Sequence, residues 1–361
     1  MATRRKLKKQ VYFVIGGLIL IIVAIVFGVS KYQEYKYHQT YEYKLLEHGY
    51  NDEEVTKILD NFKDNTDLDY LLNNEKNSNI IKLLDEKYYL DKNFYEYVDY
   101  MNEFPDLELK DVVRNINIHL DKDFYEETFD ANTSLDTSML VNKHYLLSSD
   151  YAPDDLVNVS QTYSWGELGS QRVREVAYNA FLDMWNAANE EGYYLMINSS
   201  YRSYEDQEAV YNSYKSSSGE RYADSIAARP GSSEHQTGLA IDIFSKTNTN
   251  KNTFSESAEA KWLAENSYKY GFILRYPEDK VDITGYSYES WHFRYVGEDI
   301  ATYIYENDIT FEEYYAYFLE DWKFFNLFKC IYILPILTIW AKDKSSFILL
   351  GIFFTIAVIF W

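Results

Sequence analysis

The stretch SEHQTGLAIDIF, residues 233–244, joins a polar loop to a strand that is apolar on both faces except for one carboxylate. A near-continuous apolar run from Leu239 to Phe244 is typical of a strand that is buried on both sides. Asp242 interrupts the run, and it needs a cation beside it because an unpaired buried carboxylate is costly. His235 lies in the loop before the strand, and Gly238 permits a tight turn between them. The stretch therefore predicts a buried strand next to a metal ion.

A second stretch, ESWHFR at residues 289–294, has the alternation of a strand that borders a site. Successive side chains of a strand point to opposite faces, so Trp291 and Phe293 share one face and His292 lies on the other. The aromatic pair can then pack in the core while His292 faces the site. Glu289 is out of phase with His292 and is expected in the turn before the strand.

The two stretches together predict a catalytic metal centre. The imidazoles of His235 and His292 and the carboxylate of Asp242 make a three-ligand set, and catalytic zinc sites typically use three protein ligands and keep a fourth position for water. A thiolate cluster is excluded, because Cys330 is the single cysteine of the chain. Glu289 can act as the general base. A lone histidine or a Glu-x-x-His pattern is common without function, so the prediction depends on the combination.

The flanking sequence predicts the fold class. Apolar residues at three- and four-residue steps from Val173 to Ala188 indicate an amphipathic helix that Gly192 can terminate. A second helix is expected from about Glu205 to Lys215, and a third lies before Gly271. Strands are predicted at residues 193–199, 239–244, 272–276 and 291–296. The prediction is an α+β fold in which helices flank a small, mostly antiparallel sheet.

These motifs resemble the VanY-type D-alanyl-D-alanine carboxypeptidases, a family of zinc peptidases that includes L,D-carboxypeptidases of the cell wall. The family pattern Ser-x-His-x-x-Gly-x-Ala-x-Asp matches residues 233–242, and Glu-x-Trp-His matches residues 289–292. The resemblance covers roughly residues 140–305. It implies that His235, Asp242 and His292 bind Zn²⁺ and that Glu289 is the catalytic base.

A third family element, Ser-x-Tyr-Arg-Ser followed by Gln, matches residues 199–207. The resemblance implies that Arg202 stabilises the oxyanion or the substrate carboxylate, which agrees with the general value of a cation placed where negative charge develops. The alternative is that Arg202 is a surface cation near Glu205 and Asp206. Gln207 and Ser233 are candidate substrate contacts, and either could instead stabilise a loop.

The N-terminal sequence predicts a membrane anchor. Basic residues at positions 4–9 precede residues 11–29, which carry no charge and approach the length of about 20 apolar residues that crosses a bilayer. The basic leader is expected in the cytoplasm, which puts the rest of the chain outside the cell. The alternative is a cleaved signal peptide.

The sequence divides the chain into four regions. We predict a leader and transmembrane helix at 1–30, a helical extracellular stalk at 31–135, a catalytic domain at 136–322 and an apolar tail at 323–361. Within the stalk, LDKNFYE at 90–96 returns as LDKDFYE at 120–126, either as a repeat or as a coincidence of composition. The tail could form two tilted spans or an interfacial hairpin.

Charge narrows the choice of partners. With 57 acidic and 35 basic residues the net charge is −22, which disfavours nucleic acid as a partner. The expected partners are peptidoglycan stem peptides and membrane lipid, and the expected reaction is release of the terminal D-alanine. Two alternatives remain, a zinc-containing module that binds such peptides without cleaving them and a structural anchor. The sequence predicts neither the D,D or L,D preference nor the oligomeric state.

Overall fold

The computed structural model describes residues 2–165 and 170–320, with side chains from Tyr12 onward. It divides the chain into two compact units, one ending at Ile116 and one beginning at Asn117. Residues 117–135, which the sequence analysis assigns to the stalk, belong to the second unit. The apolar tail assigned to 323–361 lies outside the described residues.

The first unit is helical. Helix α1, Ala2–His38, contains a segment from Tyr12 to His38 that is long and apolar enough to cross a membrane. Short helices follow, and their apolar residues at helical spacing form a buried core around Leu45, Ile58 and Tyr97. The helices are α2 (Tyr41–Glu47), α3 (Asp52–Asn61), α4 (Asn65–Asn73), α5 (Ser78–Leu83), α6 (Phe94–Glu103) and α7 (Leu109–Asn117). Their role as a spacer stays a prediction.

The second unit has an α+β architecture, which confirms the predicted class. Its strands are β1 (Phe129–Asp130), β2 (Tyr145–Leu146), β3 (Leu156–Asn158), β4 (Arg172–Arg174), β5 (Leu195–Ser199), β6 (Ala240–Ser245), β7 (Phe272–Leu274) and β8 (His292–Tyr295). Its helices are α8 (Glu175–Glu190), α9 (Tyr204–Ser218), α10 (Glu220–Ile226), α11 (Lys251–Phe254), α12 (Ala258–Asn266), α13 (Val281–Thr284), α14 (Glu298–Asn307) and α15 (Phe311–Phe318). Short 3₁₀ turns connect several of these elements.

The main sheet is antiparallel throughout and has the order β5-β6-β8-β7. Its apolar side chains, including Ile241, Ile243 and Phe293, pack against Phe181 of α8. The register between the two central strands sets Asp242 directly opposite His292. Because directly opposed residues of neighbouring strands are close on one face, this pairing brings two predicted ligands together.

The turn into β6 requires glycine. Gly238 has a φ of 67° and ends the 3₁₀ turn Glu234–Thr237. A Cβ atom there would lie 2.8 Å from Leu156 Cδ2 and 2.9 Å from Arg174 Cγ. The left-handed backbone and the close neighbours together mean that a side chain at this position would be strained. The turn fixes the spacing between His235 and the strand.

Candidate metal centre

All seven candidate site residues line one pocket of the second unit. The pocket lies beside the two central strands, at the end of the sheet where the Glu234–Thr237 turn enters. The predicted residues found there are Arg202, Gln207, Ser233, His235, Asp242, Glu289 and His292.

The backbone fixes the orientation of His235. Its Nδ1–H donates a hydrogen bond of 2.7 Å to the carbonyl oxygen of Ser200. This leaves Nε2 free to face the site, 3.6 Å from Oδ1 of Asp242. An outer hydrogen bond of this kind selects the tautomer and holds the ring of a metal-binding histidine.

His292 faces the site with Nδ1, whereas His235 faces it with Nε2. Its Nδ1 lies 3.2 Å from Oδ1 of Asp242, and its Nε2 lies 3.4 Å from Oε2 of Glu234. One ligand atom from each of His235, Asp242 and His292 lies within 4.8 Å of the others, and all three residues are buried. Two imidazole nitrogens and one carboxylate oxygen at this spacing can hold a divalent ion.

Glu234 belongs to a buried charge cluster that the sequence analysis missed. Its Oε1 accepts hydrogen bonds of 2.8 Å from Arg275 Nε and 3.0 Å from Arg294 Nη1. Arg275 also donates to Glu312. Burial opposes ionisation of Glu234, but the two guanidinium groups hold its pKa well below the usual range. The cluster therefore keeps a carboxylate in place behind His292.

Glu289 stands beside the ligand set without joining it. Its Oε2 lies 3.7 Å from Nδ1 of His292, and 18% of the side-chain surface remains exposed. Its backbone N–H donates to the carbonyl oxygen of Tyr276, which fixes the turn before β8. Burial raises the pKa of the Glu289 carboxyl to about 7. A carboxylate with a pKa near neutrality is suited to accept and return a proton.

Arg202 is held by neutral partners. Nη1 donates to Oε1 of Gln207 at 2.6 Å, and Nη2 donates to Oγ of Ser199 at 3.0 Å. Gln207 is itself fixed, because its Nε2 donates to the carbonyl oxygen of Ala228 at 2.7 Å. The described residues contain no ion pair between Arg202 and Glu205 or Asp206, so its charge faces the pocket. Ser233 is buried at the pocket wall.

Further residues line the pocket that the sequence analysis did not assign to the site. Tyr276, Tyr286, Trp291 and Lys251 all border it. The Tyr276 ring packs against the His292 ring at a centroid distance of 4.9 Å, and Lys251 Nζ lies 4.7 Å from the centre of the Trp291 ring. The strand alternation predicts Trp291 in the core, and its ring does pack against the core cluster, but it also borders the pocket. The tyrosines come from loops with no distinguishing pattern.

A histidine–aspartate–histidine set with an adjacent carboxylate and a cation is arranged like the site of a metallopeptidase, and comparisons with known proteins identify carboxypeptidases. The family model described as VanY, D-alanyl-D-alanine carboxypeptidase, matches residues 170–298. The D-alanyl-D-alanine carboxypeptidase of Enterococcus faecium is 32% identical over 240 residues, which cover 62% of this chain and 75% of that protein. The chain belongs to the VanY family.

Two further relatives extend the comparison. YodJ of Bacillus subtilis (strain 168) is 48% identical over 179 residues, or 49% of this chain, and the match spans 66% of YodJ. The solved structure of the LdcB LD-carboxypeptidase is 42% identical, with a TM-score of 0.50, and covers 54% of this chain and 94% of that one. The chain is thus similar to carboxypeptidases named for either bond type.

Proposed function

We propose that this protein is a zinc carboxypeptidase that removes the C-terminal D-alanine from peptidoglycan stem peptides. The observation that carries the proposal is the position of Glu289, a carboxylate outside the ligand set that lies 3.7 Å from a predicted ligand. Family membership supports the same substrate class. The relatives include proteins named as D,D-carboxypeptidases and one named as an L,D-carboxypeptidase. A comparison of pentapeptide with tetrapeptide stems distinguishes the two bond types.

The donor set fits zinc. His235 Nε2, Asp242 and His292 Nδ1 would hold the ion, and the second nitrogen of each ring is turned toward Ser200 or Glu234. Zinc commonly takes two histidines and one carboxylate and keeps a position for water. Bound there, it would lower the pKa of that water and polarise the scissile carbonyl.

The residues of this chain supply the proton transfer and the charge stabilisation. Glu289 accepts a proton from the attacking water and later delivers it to the leaving amine. Arg202, held by Gln207 and Ser199, faces the negative charge that develops on the carbonyl oxygen. A module that only binds peptides would not need a carboxylate that lies beside the metal without coordinating it. The position of Glu289 therefore favours an enzyme over a binding module.

Metal removal is the first test of this proposal. The full-length protein in detergent should release D-alanine from a tetrapeptide or a pentapeptide stem, lose this activity with a chelator and regain it with stoichiometric Zn²⁺. Asp242→Asn should bind zinc at least tenfold more weakly, because a carboxylate ligand is lost. Metal analysis and D-alanine release are the measurements. Hydrolysis that withstands complete metal removal would contradict the mechanism.

We also propose that α1 anchors the protein in a membrane, with the catalytic unit outside the cell. The apolar segment of α1 and the basic residues before it support this topology. The protein should sediment with membranes, retain its N-terminal residues by mass spectrometry and be cut by protease added to intact cells that lack a wall. Recovery of a soluble form that begins after position 30 would indicate a cleaved signal peptide instead.

A further inference from the structure

Lys143 is a buried cation that the proposed chemistry does not use. Only 4% of its surface is exposed, and no carboxylate pairs with it among the described residues. Its ammonium lies instead against the rings of Phe124, Tyr125 and Tyr286, at 4.9, 5.7 and 4.3 Å from their centres. Burial lowers its pKa to about 8, which leaves it charged at neutral pH. Burying such a charge is costly unless it is compensated.

The compensation comes from two separate segments of the pocket wall. Lys143 Nζ donates hydrogen bonds of 2.8 Å to the carbonyl oxygen of Asp224 and 2.5 Å to that of Gly285. Residues 226–228 follow the first carbonyl and Tyr286 follows the second, and all of these line the pocket. The two segments also meet directly, because Ser287 N–H donates to the carbonyl oxygen of Ser225. The Lys143 ammonium therefore hydrogen-bonds to both wall segments, the first at residues 224–228 and the second at residues 285–286.

Tyr125 makes a second connection between the same walls. Its hydroxyl lies 3.3 Å from the Tyr286 hydroxyl and accepts a hydrogen bond of 3.4 Å from the backbone N–H of Arg229. The Arg229 guanidinium lies over its ring at 4.3 Å. Tyr125 has a φ of 69°, a conformation that costs free energy for an aromatic residue and persists where the surroundings enforce it.

Phe124 packs closely against Gly285 in the second wall segment. A Cβ atom at Gly285 would lie 2.7 Å from the Phe124 ring, so the ring touches the backbone there. Phe124 and Tyr125 belong to the second copy of the LDK(N/D)FYE sequence, outside the residues matched by the family model. Phe124 and Tyr125 of this copy therefore pack against Gly285 and Tyr286 of the second unit.

We propose that Lys143, together with Phe124 and Tyr125, positions the two walls of the substrate pocket. The inference rests on the proposed carboxypeptidase function, since it assigns these residues to substrate binding in that pocket. Lys143 is a positioning residue, because it touches the backbone of the walls and none of the metal ligands. The ligand set is carried by β6, β8 and the Glu234–Thr237 turn, so loosening the walls should weaken substrate binding more than it affects metal binding.

The test uses Lys143→Met and the milder Tyr125→Phe in the full-length protein. Tyr95→Phe is the matched control, because Tyr95 occupies the same position in the first copy of the repeat and lies in the other unit. We expect KM to rise roughly tenfold in Lys143→Met, which loses two short hydrogen bonds, and about threefold in Tyr125→Phe, which loses two longer ones. The kcat and the bound metal should stay close to wild type, and the control should match wild type in every measurement.

Hydrogen exchange gives a readout that does not depend on turnover. Residues 224–229 and 284–287 should exchange faster in both variants, while β6 and β8 should keep their protection. Unchanged exchange in these walls, or an unchanged KM in a folded Lys143→Met protein, would overturn the proposal. A lowered unfolding temperature with unchanged KM would assign Lys143 a structural role only and would also overturn it. If the wild-type protein cleaves no stem, the proposed function fails, and the exchange measurement still decides whether Lys143 holds the walls.

Discussion

Glu289→Gln should lower kcat for D-alanine release by about 10²- to 10⁴-fold, the usual contribution of a positioned general base. Glutamine has almost the same shape, so the pocket keeps its form, but the amide cannot accept the proton of the attacking water. Glu289 lies outside the histidine–aspartate–histidine set. The variant should therefore bind the same amount of zinc as the wild-type protein, with a similar KM.

Glu278→Gln is a suitable control for this variant. Glu278 is exposed in the same connection between β7 and β8 and does not line the pocket. Its substitution should leave kcat, KM and metal content unchanged. Retention of most activity in Glu289→Gln would refute the role of Glu289 as the base, whereas loss of the metal together with the activity would make Glu289 a ligand.

Local sequence patterns account for the four strands of the main sheet and for the candidate ligands, whereas Val173, which the pattern assigned to a helix, lies in β4. Alternation in residues 291–294 sends His292 and Phe293 to opposite faces, and the structure has Phe293 in the core and His292 in the pocket. An aspartate within an apolar strand needs a cationic partner, and Asp242 lies in the cluster that can hold one. The placement of these side chains follows from sequence because burial and strand geometry act over a few residues. Metal binding by the cluster stays a prediction.

The residues behind the site follow from contacts that no local pattern contains. Glu234 meets Arg275 and Arg294 only when β7 and β8 form beside the turn that carries it. Lys143 and the second repeat copy likewise meet the pocket walls through the tertiary fold. From sequence alone, the two copies of LDK(N/D)FYE are expected to have the same structure. In the fold, however, Phe94 begins a helix of the first unit, whereas Phe124 contacts Gly285 in the second unit. The same short sequence takes the structure that its surroundings favour.

The buried cluster around Glu234 gives the largest expected effect on stability. Glu234→Gln should lower the free energy of unfolding by about 3–5 kcal/mol, the usual cost of removing one partner of a buried ion pair. Arg294 loses its carboxylate partner, while Arg275 keeps Glu312. Denaturant unfolding of the metal-free protein measures this effect without any contribution from zinc.

The same substitution should also weaken metal binding, because Glu234 lies 3.4 Å from Nε2 of His292 and helps to orient that ring. Loss of such an outer partner typically costs about 10- to 100-fold in metal affinity. Glu312→Gln separates the two effects, since Glu312 pairs with Arg275 in the same cluster but is not hydrogen-bonded to His292 among the described contacts. It should destabilise the fold and leave zinc affinity near that of the wild-type protein. Equal zinc affinities in both variants, measured by competition with a chelator under conditions where both are folded, would show that Glu234 stabilises the fold without tuning the metal centre.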